Sequence, residues 1–189
     1  IYALFKLLFP PAIFGGVSRV IYDVTRELCK KGHEVSVLTT DSYSTKINAI
    51  EIENNNGVEI YRVPTVLKKF TRTDNITLPQ PSLTYLVKNT IKGFDVIHFH
   101  GHRSFTKVVV HHYARKYHIP YVMQTHGDLP RIMTKRRLKW IYDFMFGYRL
   151  LRDASRVIAL SRMEAEQYRG MGVPEEKIEV IPNGIDLSE

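Results

Sequence analysis

SRMEAEQYRGMGVPEEKIEVIPNGID, residues 161–186, is the stretch from which the rest of the chain can be read. It follows the run 156–160, whose Val157-Ile158-Ala159-Leu160 content suits a strand covered on both faces. Residues 163–170 then predict a helix, and residues 177–181 a last strand stopped by Pro182, which cannot continue a ladder. A strand, a helix and a strand in that order imply a right-handed crossover between parallel neighbours.

The same alternation extends toward the amino end. Residues 3–9 are apolar and strand-like up to Pro10-Pro11. After Gly15-Gly16, the residues Val17, Val20, Ile21, Val24 and Leu28 recur at helical spacing, with Gly32 as the stop. Residues 34–40 read as a strand. A polar stretch containing Asn54-Asn55-Asn56-Gly57 precedes a strand over 58–63. Residues 67–81 show no period and read as a long loop. Helices are predicted over 82–92 and 104–117, strands over 95–100 and 121–125, and a long basic, aromatic helix over 134–151 with a break near Gly147. The expected fold is α/β: a Rossmann-like domain with a mostly parallel sheet of about seven strands flanked by helices. Ligands of such sheets bind outside the carboxyl ends of the strands. The loops 10–18, 101–103 and 126–130, and the one at Ser161, are therefore where function is expected.

Composition narrows the class. With 189 residues, 44% hydrophobic and 24% charged, the chain can bury a full core, and extensive disorder is excluded. No apolar run approaches the ~18 residues of a membrane span. Cys29 is the single cysteine, so no internal disulfide or paired-cysteine zinc site can form. A reducing, cytoplasmic setting is expected. The chain begins at Ile1, without methionine, and reads as a fragment. Lys and Arg outnumber Asp and Glu by 27 to 19, a net charge of +8. Seven cations between Arg131 and Arg152, against the single acid Asp143, supply most of it. Two readings fit that segment: a docking face for an anionic membrane, or a solvated helix face whose apolar stripe of Leu138, Ile141, Met145 and Tyr148 packs on the sheet. No nucleic-acid-binding module accompanies it.

Several constellations carry chemistry. Gly15 and Gly16 open a helix, where backbone N–H groups can meet a phosphate; two adjacent glycines at such a junction are more often a plain turn. His98, His100 and His102 alternate, and on one strand face they could hold a metal ion. That spacing resembles the HxHxDH run of metallo-β-lactamase-like hydrolases, but His102 stands in place of the aspartate and Arg103 in place of the last histidine. The expectation is no metal and no cofactor. His126 follows a strand and precedes Gly127-Asp128, at the ligand edge, where an imidazole can hydrogen-bond a sugar hydroxyl. No Ser/His/Asp or Cys/His arrangement and no glycosidase-like carboxylate pair can be assembled.

Residues 161–186 resemble the end of the N-terminal domain of retaining glycosyltransferases of family 4 (GT4), which have the GT-B fold. The likeness rests on Ser161, Glu164, Glu166, Gly172-Val173-Pro174, Lys177-Ile178 and Ile181-Pro182-Asn183-Gly184-Ile185-Asp186. FPP followed by Gly15-Gly16, GHEVSVLTT, GVEIYRVP, DVIHFHGH and THGD agree with it. The resemblance implies transfer of a sugar from a nucleotide-diphosphate donor to a glycan or lipid-linked acceptor. It implies that Gly15 and Gly16 approach the donor and that His126 is the catalytic contact to its sugar. His102, Arg103 and Arg131, which follow strand ends, are candidate acceptor contacts. Residues 1–182 would form the acceptor-side domain and 183–189 begin the connection to a donor-binding domain. The sequence stops before that domain's E-x7-E motif, so the isolated chain is expected to be inactive. Two other classes are weighed beside this: a non-catalytic domain binding anionic glycans or lipids, and a metal-dependent hydrolase using the three histidines. The expected location is cytoplasmic, at the inner face of the membrane if the basic segment docks there.

Overall fold

The computed structural model describes residues 2–4, 16–40, 50–55, 57–64, 81–130 and 136–184. Gly15, Arg131 and the loop read over 67–81, apart from Pro81, lie outside them. Strand β1 (Tyr2–Leu4) is followed by α1 (Gly16–Lys30), β2 (Val35–Thr40), β3 (Glu51–Asn55) and β4 (Val58–Val63). Then come α2 (Pro81–Thr90), β5 (Ile97–His100), α3 (Phe105–Lys116) and β6 (Tyr121–Gln124). The last part holds α4 (Arg136–Tyr142), a π-turn segment (Asp143–Gly147), α5 (Tyr148–Arg152), β7 (Arg156–Ala159), α6 (Arg162–Gly170) and β8 (Ile178–Val180).

One sheet runs in the order β3-β4-β2-β1-β5-β6-β7-β8, parallel throughout except for β3 on β4. Leaving β3 aside, this is the doubly wound order, in which strands are added outward on both sides of β1 and the switch point falls between β1 and β5. Among the described residues the sheet thus has eight strands, where about seven were expected. The extra one, β3, comes from the stretch read as merely polar. Asn54 Oδ1 accepts a hydrogen bond from Gly57 N at 3.2 Å, and the hairpin turns there. Its side chains are largely exposed, Ile52 included, and Arg62 pairs with Glu53 across the strands. Such a charged, short strand suits a sheet edge.

Period-two alternation divides the sheet into two faces. Val35, Val37, Val58 and Ile60 pack on one face against Ile21 of α1. Leu38, Tyr61, Phe99, Met123 and Val157 belong to the larger cluster on the other face, with α2, α3, α5 and α6. Each fully buried side chain of this size contributes roughly 1.5–3 kcal/mol. Val37, His98 and Val122 are linked through Ala3 in the register, so His98 and His100 stand on the α1 face, opposite Phe99. The expected break near Gly147 is absent. The rod from Arg136 to Arg152 is continuous, and its middle widens into a π turn. Among the described residues, no helix is long and apolar enough to cross a membrane.

Candidate functional site

The carboxyl ends of β5, β6 and β7 hold an unusual set of buried polar side chains. β5 ends in His100, and Gly101 turns the chain at φ +74. β6 ends in Gln124, followed by Thr125, His126 and Gly127. His126 takes φ +54, a left-handed backbone that a non-glycine residue adopts at a cost, and Gly127 follows at φ +76. This double left-handed turn swings the imidazole back toward β5. His126 Nε2 and His100 Nδ1 share a hydrogen bond of 2.9 Å, with ring planes 19° apart. The His98 ring lies 4.0 Å from that of His100, centroid to centroid.

Burial dominates the protonation of this group. It holds His98 and His126 down to about 4, and His100 well below the ordinary imidazole value. For His126 the Glu164 carboxylate opposes the shift and Lys107 adds to it. All three rings are therefore neutral near pH 7. With Nε2 of His126 engaged, its Nδ1 is a buried polar atom without a partner among the described residues. In a folded protein such an atom asks for an explanation, and a ligand is one.

Three further residues sustain the turn. Glu164, in the first turn of α6, is buried. Its Oε1 accepts from Thr125 Oγ1 and Gly127 N, both at 2.7 Å, and its Oε2 accepts from Leu160 N at 2.7 Å. Ser161 Oγ accepts from Glu164 N and caps the helix. Tyr168, also buried, accepts from Thr125 N at 3.0 Å and donates to Ile158 O. Lys107 lies beneath Gly101, its Nζ 3.8 Å from where a Cβ would stand there. Only 1% of it is exposed, and burial lowers its amine to about 8 against the attraction of Asp128.

Neither Glu164 nor Lys107 was singled out for a role from sequence, although the signal was present. Lys107, Val110, His111 and Ala114 fall on one buried helical stripe, which makes a lysine there conspicuous. Ser161 and Glu164 have the S-x-x-E spacing of a capping box, but the carboxylate here reaches two other strand ends.

The remaining candidates are placed as follows. Gly16 is exposed at the amino end of α1, which the connectivity sets at the carboxyl edge of β1. His102 and Arg103, read as acceptor contacts, are turned inward: His102 is fully buried and Arg103 nearly so. Asp143 Oδ1 accepts from Arg103 Nε at 3.0 Å and lies 3.1 Å from His102 Nε2, while Asp143 Oδ2 accepts from Arg103 Nη2 at 2.7 Å. Arg103 also donates to the carbonyls of Asp128 and Leu129, and Asp128 Oδ2 accepts from the backbone N–H of His102 and Arg103. The Arg103 side chain thus locks the loop after β5 to the loop after β6, and the His102 side chain ties the loop after β5 to the π segment, which donors facing solvent could not do. The pairing also separates His102 from His98 and His100, so the three-histidine arrangement of a hydrolase does not form. Among the described residues, no three His, Cys, Asp or Glu side chains gather where they could hold a metal ion.

A model of the family described as Glycosyltransferase Family 4 matches residues 14–189. The uncharacterized glycosyltransferase MJ1607 of Methanocaldococcus jannaschii is 28% identical over 185 residues, covering 94% of this chain and 44% of that protein. Among solved structures, HepE of Anabaena in complex with UDP and glucose superposes with a TM-score of 0.63 at 18% identity, over 99% of this chain and 45% of that one. Sucrose-phosphate synthase of Thermosynechococcus elongatus gives 0.66 at 15% identity, over 99% and 49%. The chain spans less than half the length of each of these three proteins.

Proposed function

The chain belongs to Glycosyltransferase Family 4, and from that premise we propose that the protein containing it moves a sugar from a nucleotide-diphosphate donor to a glycan or lipid-linked acceptor, with retention at the anomeric carbon. The observation that carries the reading is His126. It is a neutral imidazole on a costly left-handed turn at the ligand edge of the sheet, with one ring nitrogen bound to His100 and the other unpartnered among the described residues. HepE, of the same fold, binds UDP and glucose, which supports a nucleotide sugar as the donor.

In this reading Gly15 and Gly16 offer backbone N–H groups at the start of α1 to the donor diphosphate, and His126 Nδ1 hydrogen-bonds the transferring sugar. Arg131 remains an acceptor contact by proposal. His102 and Arg103 act one step back, holding the loops that shape the acceptor side. Rate acceleration comes from orienting the acceptor hydroxyl and stabilising charge on the departing diphosphate, with no cofactor beyond the donor itself. The nucleotide would be gripped from the facing half of a GT-B cleft.

Incubation of the full-length protein with a panel of nucleotide sugars tests the proposal. Donor consumption that depends on an acceptor, with a product of the donor's anomeric configuration by NMR, is the expected result. Inverted product would remove retention, and no turnover of any nucleotide sugar would remove the activity.

A further inference from the structure

The rod α4–π–α5 leaves a large apolar surface uncovered. Its inner side is accounted for: Tyr142, Asp143, Gly147, Leu150 and Leu151 are buried. Its outer side carries Trp140 at 53% exposure, Phe144 at 71% and Met145 at 59%, with Leu138 and Ile141 beside them. The stripe that could have packed on the sheet therefore faces outward. Trp140 and Phe144 stack, centroids 5.6 Å apart and planes within 10°, forming a flat aromatic plate. Arg136 and Arg137 share a hollow with Trp140 and Ile141. On the other flank a groove of about 560 Å³ between α3 and the rod is lined by Arg115, Lys116, Arg149 and Met145.

We propose that this face docks on an anionic lipid bilayer, the aromatic plate entering the headgroup boundary while the flanking cations meet lipid phosphates. The arrangement of charges selects that occupant. A second copy would bring the same cations against themselves in a two-fold interface. An anionic leaflet supplies negative charge beside an apolar interior, which matches cations flanking aromatic and aliphatic side chains. The π turn also ties this face to the candidate site, because Asp143 on its inner side anchors Arg103, which holds the carbonyls of Asp128 and Leu129. Docking would set the His126 edge at lipid height. The consequence that the acceptor is lipid-borne rests on the transferase reading; the docking itself does not.

Co-sedimentation of the full-length protein with vesicles tests the docking without any transfer assay. Binding is expected to phosphatidylcholine vesicles containing phosphatidylglycerol, but not to phosphatidylcholine alone, and it should weaken as salt rises from ~0.1 to ~0.5 M. Each cation near an anionic surface changes partition about fivefold, so reversing two of them, Arg136→Glu with Arg137→Glu, should weaken it about 25-fold or more. Trp140→Ser with Phe144→Ser should also weaken binding, with thermal melting unchanged. If either pair lowers the melting temperature, the other pair and the salt titration of the unaltered protein decide. No binding to anionic vesicles at low salt overturns the proposal. So does binding unaffected by both pairs, or a self-association that the aromatic pair abolishes.

Discussion

His126 carries two burdens at once, a left-handed backbone and a buried ring atom without a partner among the described residues. A residue kept under such conditions is expected to matter for the reaction more than for the fold. His126→Ala should lower the transfer rate of the full-length protein about 10²- to 10³-fold with little change in melting temperature. Unaltered turnover would make it a loop brace. The histidine trio also fixes an acid response. In the unfolded chain these imidazoles protonate near 6.5, whereas burial holds His98 and His126 to about 4 in the native state. Between those values the unfolded state takes up protons that the native state refuses. Stability should therefore fall as pH falls from about 6.5 to about 4, with no further loss from these two below that. Melting temperatures across the window check this, and His98→Gln with His126→Gln should flatten the slope. At this scale the sequence pointed to His126, because it follows an apolar strand into Gly127-Asp128. The burial of His102 and Arg103 was not legible, because their partner, Asp143, lies about forty residues away in sequence and nothing local betrays the pairing.

The π turn between α4 and α5 depends on a glycine that a sequence reading takes for a break. At Gly147 an added Cβ would stand 2.8 Å from Asp143 Oδ1 and 2.9 Å from His102 Nε2. Neither atom can move freely, since both belong to the buried cluster that Arg103 completes. Gly147→Ala should cost about 1–3 kcal/mol, several degrees in melting temperature. Gly170→Ala at the end of α6, where a Cβ meets nothing within 4 Å, should be neutral or slightly stabilising. Equal melting of the two variants would remove the close-approach argument. Elements with a strong period were legible: β2, β4 and α3 fall within a residue or so of their predicted bounds. The hairpin strand β3 was not, because with Glu51, Ile52, Glu53 and Asn54 all exposed it carries no buried alternation. Only the Asn56-Gly57 pair, a known hairpin signal, marked the turn.

At the scale of the molecule, the alternation of strand and helix was enough to specify a doubly wound sheet, since crossover rules leave few ways to order parallel strands. The same rule points to the candidate site, because the polar cluster gathers at the carboxyl ends of β5, β6 and β7. What the chain does alone is a separate matter. Its two apolar clusters lie on opposite faces of one sheet, with β2 and β4 contributing to both, so neither can melt without exposing the other. The 189-residue chain by itself should unfold in one cooperative transition, seen as coincident loss of far-UV and near-UV dichroism. Its polar cluster, however, presents one edge only, and the chain spans less than half the length of MJ1607, HepE and sucrose-phosphate synthase. The proposed transfer needs the departing diphosphate held from both sides, because stabilisation of that charge supplies most of the acceleration. The isolated chain should consequently consume no nucleotide sugar under conditions in which the full-length protein does. Turnover by the 189-residue chain at the full-length rate would mean that residues on this edge suffice, and would sink the two-sided mechanism.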